Sequence, residues 1–175
     1  MKKILFVAAA LCLFSMAAFA QKANYAGTWT LDVSRSKLNE RMRIESMTLT
    51  VAQTDKDLTV TTATKRAAPP ADAPAGRGGG MGRGFGGDGT TVWVLDGKEA
   101  KSEIDSPMGK LPVTLKAAAD GGKLNLTRTV TTQMGDMTTK ETWELSPDGK
   151  TLTINREQPS RGGGTSTVTM VFTKG

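Results

Sequence analysis

Three charged residues, Arg128, Glu141 and Arg156, stand in stretches where apolar and polar side chains alternate, and each lies two residues from an apolar one. A guanidinium donates paired hydrogen bonds to a carboxylate or a phosphate. Together the three side chains carry a net charge of +1. If they share one face of a sheet, their chemistry is either mutual neutralisation or the binding of an anionic group.

A turn at residues 134–135 decides whether the first two charges meet. If these two residues form a hairpin loop, counting back along both strands places Arg128 opposite Glu141 and Leu126 opposite Trp143. Both pairs then lie on the face that also carries the apolar side chains. The turn therefore predicts a direct contact between the arginine and the carboxylate.

A second turn, at residues 148–149, determines the position of the third charged residue, Arg156. A two-residue loop here places Glu141 opposite Arg156 on the following strand. The two turns together predict a transverse row on the inner face of four neighbouring strands: Val113, Arg128, Glu141 and Arg156.

This row has three interpretations. Burying a charge is costly unless it is paired, so Glu141 could simply neutralise both arginines at one end of the fold. Alternatively, the surplus positive charge binds the anionic head group of a ligand inside the protein. In the third interpretation the face assignment is wrong and the row is exposed.

The residue types exclude most catalytic chemistry. The chain has no His, and its single Cys is Cys12, within the leader described below. This excludes a disulfide, a thiol nucleophile, a Cys/His zinc site and a His-containing triad in the mature protein. The carboxylates interpreted as outward-facing or turn residues include Asp32, Glu103, Asp105 and Glu144. We predict no catalytic residues, no metal, no cofactor and no enzymatic activity.

Residues 1–20 have the pattern of a secretory signal peptide: two early lysines, an apolar run and a small-residue cleavage site at 18–20. The mature protein is expected to begin at Gln21 and to lie in the periplasm or outside the cell. Removing the two lysines lowers the formal charge from +6 to +4. No later segment approaches the roughly 20 apolar residues of a membrane-spanning helix, so we expect no transmembrane span.

Alternation of apolar residues with threonine predicts β-strands separated by short turns. Residues 21–175 are predicted to form a single all-β domain, an antiparallel up-and-down meander barrel of about ten strands, because closure removes exposed edges. A β-sandwich is the runner-up. The predicted strands are 26–32, 46–53, 58–65, 90–95, 99–105, 110–117, 123–132, 137–145, 151–158 and 165–173.

Two segments interrupt the strands. Residues 33–45 could hold a short helix opening at Ser34, with Leu38 and Met42 on one side, or could cross the barrel end as a loop. Residues 66–89 are rich in proline and glycine, and we expect a disordered insert there. Its arginine-glycine units resemble RNA-binding boxes, but they are few and diluted by aspartates, so no nucleic-acid partner is predicted.

The segment from Gly27 to Asp32 contains a Gly-x-Trp motif near the expected mature N-terminus. This motif resembles the opening of the lipocalins and fatty-acid-binding proteins, the calycin-type barrels. The same segment, with Ser36-Lys37 and residues 143–154, resembles a group of small exported bacterial lipocalin-like proteins. The resemblance implies that Gly27 and Trp29 are structural residues at the closed barrel end.

The resemblance also implies an internal cavity for a small hydrophobic or amphipathic molecule. In fatty-acid-binding proteins, interior arginines on late strands hold the ligand carboxylate, and Arg128 and Arg156 lie on comparable strands. The chain departs from the family at Arg156, where the usual Arg-x-Tyr pair is missing because Glu157 and Gln158 follow the arginine. The expected cavity lining is Trp93, Leu115, Leu126, Trp143 and Ile154.

The predicted barrel and its inner charged row are compatible with two functions. The first is an exported, monomeric, non-catalytic binding protein for a small hydrophobic or amphipathic ligand, with an anionic head group as one option. The second is a structural or interaction protein of the cell envelope whose barrel core is filled and which has no small-molecule ligand.

Overall fold

The computed structural model describes residues 23–39, 42–68, 88–106, 109–160 and 163–175. The predicted count of ten strands is confirmed, and the predicted bounds differ from the observed ones by a few residues. The strands are β1 (Gly27–Leu31), β2 (Ile44–Gln53), β3 (Asp57–Arg66), β4 (Gly89–Val94), β5 (Glu99–Ser106), β6 (Gly109–Asp120), β7 (Lys123–Thr132), β8 (Gly135–Leu145), β9 (Thr151–Pro159) and β10 (Thr165–Lys174). The predicted signal peptide, residues 1–20, lies outside the described residues.

All ten strands belong to one antiparallel sheet in the order β4-β3-β2-β1-β10-β9-β8-β7-β6-β5. Strand β10 pairs with β1, so the sheet curls into a nearly closed barrel with up-and-down connections. Of the described strands that follow one another in the chain, only β4 and β5 are not joined by a ladder of hydrogen bonds. The predicted fold class is confirmed, and a single sheet excludes the two-sheet sandwich.

The two barrel ends differ in burial. We call the end that holds residues 23–26 and the β8–β9 turn the packed end, and the opposite end, where β7 turns into β8, the open end. Inward side chains near the packed end are fully buried: Trp29, Leu58, Leu152 and Phe172. Near the open end the inward polar side chains Thr62, Thr91, Thr139 and Gln158 are half-buried, whereas the apolar Val113 and Val130 are buried. The barrel interior is therefore shielded from water at one end and partly accessible at the other.

The connection between β1 and β2 follows β10 instead of forming a helix. The backbone N–H of Asp32 donates to the Val171 carbonyl at 2.8 Å, and Lys37 exchanges two backbone hydrogen bonds with Thr169. Because these bonds occupy the backbone groups, the alternative of a helix opening at Ser34 is wrong for the described residues 33–39. This segment is a loop.

The two apolar residues of this connection do face the core, as their spacing suggested. Leu38 and Met42 are partly buried and pack against the core cluster at the open end. Farther along, β3 continues to Arg66 and β4 begins at Gly89. Most of the predicted insert at 66–89, namely 69–87, lies outside the described residues. Within the described part of the chain, no helix is long and apolar enough to cross a bilayer.

Candidate functional site

The structure places Arg128, Glu141 and Arg156 on the inner face, but only two of them are directly opposite each other. Glu141 pairs with Arg156 across β8 and β9, as the second turn indicated. Arg128 pairs with Thr139, and Glu141 with Leu126. The predicted pairing of Arg128 with Glu141 is wrong, and so is that of Leu126 with Trp143, which lies opposite Leu124.

The error comes from the position of the β7–β8 turn. Thr132 pairs with Gly135, so the loop consists of residues 133–134 and not 134–135. The Thr132 hydroxyl fixes this turn, because it donates to the Gly135 carbonyl at 2.8 Å and accepts from the Met134 N–H at 3.2 Å. Moving a two-residue loop by one position slides the pairing by two residues. The inner face is therefore kept, while the neighbours on that face change.

The predicted extension of the row to Val113 is wrong for a similar reason. Val113 lies opposite Val130, and the residue opposite Arg128 is Leu115. On the β8 side, Arg128 lies opposite Thr139, two residues nearer the open end than Glu141. The three charges therefore form a diagonal cluster. We call Arg128, Glu141 and Arg156 the charged cluster.

Glu141 is the centre of the charged cluster. One carboxylate oxygen, Oε1, accepts a hydrogen bond from Arg156 Nε at 2.7 Å, and Oε2 accepts from Trp143 Nε1 at 2.7 Å. The Glu141 and Arg156 side chains are only 15% and 14% exposed. A charge-assisted pair so well covered holds both side chains in a fixed position.

Arg128 adds a second guanidinium to the Glu141–Arg156 pair. Burial lowers the pKa of its guanidinium, Glu141 acts in the opposite direction, and Arg156 lowers the pKa further. An arginine keeps its proton at physiological pH, so the cluster retains a net charge of +1. A buried positive charge of this kind favours an anionic partner.

A cavity of about 70 Å³ lies beside the charged cluster. Four of the five residues expected to line it are on its wall: Trp93, Leu126, Trp143 and Ile154. Leu115 is buried but lies off the wall. Sequence reasoning missed four polar or small wall residues, Thr62, Gly89, Thr91 and Thr139. Extending the inward alternation to β3 and β4 would have found three of them.

The cavity is small for a ligand site. Pockets for drug-sized molecules occupy roughly 300 to 1,000 Å³, whereas this cavity of about 70 Å³ accommodates only a few water molecules. A larger molecule would have to displace part of the wall. The absence of ladder hydrogen bonds between β4 and β5 makes that side of the barrel the least costly to open.

Gly27 and Trp29 lie at the packed end, away from the cavity wall. Trp29 is fully buried, and its Nε1 donates to the Tyr25 carbonyl at 2.8 Å. Lys174 Nζ lies 5.2 Å from the centre of the Trp29 ring. Gly27 has a φ of 138°, and a Cβ atom there would approach Lys174 Cε to 2.7 Å. These contacts give both residues a packing role.

Tyr25 is buried at the packed end and contacts Trp143. Its hydroxyl donates to the Trp143 carbonyl at 3.2 Å, and the two rings meet edge to face at 5.8 Å. Burial raises the pKa of Tyr25 to about 12, and the nearby Glu144 carboxylate adds to the rise. Because this is the only tyrosine of the chain, its ionisation is directly observable.

We predict that the protein loses stability when the pH rises above the ordinary pKa of tyrosine, 10.0, towards about 12. In that window the unfolded chain releases the phenolic proton and the folded chain keeps it, so the stabilisation present below it is progressively lost. Phenolate absorbance of native and urea-unfolded protein should give two separate midpoints, the native one higher. Coincident midpoints would contradict the prediction. The Tyr25→Phe variant contains no tyrosine and gives the background absorbance.

The described residues contain no group of three or more His, Cys, Asp or Glu side chains that could hold a metal ion. The prediction that the chain needs no metal stays a prediction. The site thus consists of a charged cluster, a small cavity and apolar packing beneath it.

Comparison with known proteins rests on structure alone. No family model matches the sequence, and no curated protein matches it significantly. A fatty-acid-binding protein of Echinococcus granulosus superposes with a TM-score of 0.50 at 10% identity, covering 85% of this chain and 96% of that one. The chain has the fold of the fatty-acid-binding proteins.

Two other solved structures give similar figures. Zebrafish ileal bile acid-binding protein, complexed with cholic acid, has a TM-score of 0.49 and 17% identity over 86% of this chain and 98% of its own. Human cRBP IV has a TM-score of 0.49 and 13% identity over 87% and 99%. At such identities the likeness concerns the barrel fold.

Proposed function

We propose that the protein is a non-catalytic binding protein for a small amphipathic molecule with an anionic head group. The observation that carries the proposal is the charged cluster, with its net charge of +1, on the wall of an interior cavity that is otherwise largely apolar. The Echinococcus granulosus protein of the same fold is named a fatty-acid-binding protein, which supports a hydrophobic ligand.

Arg128 is the residue to which we assign the head group. Both oxygens of Glu141 are occupied, one by Arg156 and one by Trp143. Arg156 is thus held by Glu141, and the cluster of two guanidiniums and one carboxylate has a net charge of +1. An anion beside Arg128 would complete the neutralisation of the cluster.

Export forms part of the same proposal. The leader at residues 1–20 would direct the chain across the membrane before the barrel folds. N-terminal sequencing of the protein from an expressing bacterium should give Gln21 as the first residue. An uncleaved chain retained in the cytoplasm would contradict export without affecting the ligand proposal.

Ligand binding is tested with octanoate and octanol, which share a chain and differ in head-group charge. We expect octanoate to bind saturably in calorimetry and Arg128→Gln to weaken it about tenfold or more, since a hydrogen bond to a charged group contributes about 1.5–3 kcal/mol. This substitution leaves the Glu141–Arg156 pair intact. Lys140→Gln, which removes an exposed charge next to Glu141 on the outer face, should leave the affinity unchanged.

The outcomes separate the parts of the proposal. If octanol binds as tightly as octanoate, the anionic head group is wrong and a hydrophobic ligand remains. If neither binds, the binding proposal is wrong and the alternative of an envelope structural or interaction protein with a filled core is favoured. The small volume of the cavity, about 70 Å³, is the observation that favours that alternative.

A further inference from the structure

The wall of the cavity changes from apolar to polar in one direction along the barrel axis. On β9, Ile154 precedes Arg156 towards the open end, and on β8, Trp143 lies nearer the packed end than Glu141. These four residues face one another in register. The charged groups thus form a layer on the open side of an apolar layer.

The opposite wall repeats this order with hydroxyl groups. Strand β3 contributes Val60 nearer the packed end and Thr62 nearer the open end, and β4 contributes Trp93 and then Thr91 in the same sense. Trp93 is 7% exposed, whereas both threonines are half-buried. On β3, β4, β7, β8 and β9 the polar groups therefore lie on the open side of the cavity and the apolar groups towards the packed end, whereas β2 contributes the apolar Met47 and Leu49 on the open side.

On the basis of the proposed function, we infer that the ligand binds with its apolar tail towards the packed end and its anionic head towards the open end. A charge costs less to bury where water is closer, and an apolar tail gains most where water is excluded. The cluster's net charge of +1 matches a head group with one negative charge. Because the cavity of about 70 Å³ has to widen for any ligand larger than a few water molecules, short or compact monoanionic amphiphiles displace the least of its wall and are the expected class.

Tryptophan fluorescence can report this orientation. Trp93 and Trp143 line the apolar layer, whereas Trp29 lies off the cavity wall. Covalently bound bromine quenches an indole only at close range, so its position on a ligand chain identifies the part that reaches the tryptophans. The probes are octanoate brominated at the α carbon, beside the carboxylate, and octanoate brominated at the ω carbon.

At saturation, ω-bromo-octanoate is expected to cause the larger loss of fluorescence. Trp93→Phe should remove much of the excess quenching, because it takes away a reporter at the apolar layer and leaves the bond from Trp143 to Glu141 in place. Calorimetry with unbrominated octanoate measures binding independently in both proteins. Palmitate should gain no affinity over octanoate, because its longer tail would have to displace more of the cavity wall.

Each contrary result has its own meaning. Equal or stronger quenching by α-bromo-octanoate, with octanoate binding intact, overturns the orientation and leaves the proposed function standing. Tighter binding of palmitate overturns the expected class of short ligands. Absence of octanoate binding overturns the proposed function together with this inference.

Discussion

Glu141→Leu is expected to lower the free energy of unfolding by about 3 kcal/mol, because removing one partner of a covered ion pair leaves the other charge uncompensated. The loss leaves Arg156 without its carboxylate partner, and it frees Trp143 Nε1 from its acceptor. Urea denaturation of the variant and the parent protein measures the difference.

Two further variants give this prediction its controls. Glu144→Gln removes the neighbouring carboxylate, whose ion pair with Lys123 is exposed, so the expected loss is about 1 kcal/mol or less. Adding Arg156→Met to Glu141→Leu should restore part of the stability, since apolar residues often replace a buried pair at little cost. A Glu141→Leu loss no larger than that of Glu144→Gln would show that the charged cluster is energetically equivalent to a surface pair.

Trp29→Ala is expected to destabilise the barrel by about 3–5 kcal/mol, the range for truncating a buried aromatic residue. The Trp29 side chain is fully buried and bonded to the Tyr25 carbonyl, so truncation leaves a cavity and an unmet acceptor. The change is measured by urea denaturation. Val92→Ala, at a position 51% exposed on the outer face, should alter stability by less than about 0.5 kcal/mol.

Trp29→Phe separates packing from ligand binding. Phenylalanine retains most of the apolar volume and loses only the indole N–H, so the expected loss is smaller than for alanine. Octanoate affinity should be unchanged, because Trp29 does not line the cavity. Weakened octanoate binding by a folded Trp29→Phe protein would contradict the assignment of Trp29 to packing alone.

The sequence predicted the faces of the strands better than their register. Arg128, Glu141 and Arg156 share the inner face with Trp143 and Ile154 because side chains alternate strictly along a strand, a local property. Which residues face each other also depends on where each turn closes. The Thr132 hydroxyl set the β7–β8 turn one residue earlier than the glycine suggested, which moved Arg128 opposite Thr139.

The sequence by itself determined the all-β class, the strand number and the candidate charges, because alternation and turn residues act over a few neighbouring positions. Only the tertiary structure decided that Glu141 bonds Trp143 as well as Arg156, and that the cavity measures about 70 Å³. Both depend on how side chains from distant strands fill one interior, and that volume is a property of the closed barrel as a whole. The order of the cavity wall along the barrel axis, apolar at Trp143 and charged towards the open end, is likewise decided by the tertiary structure.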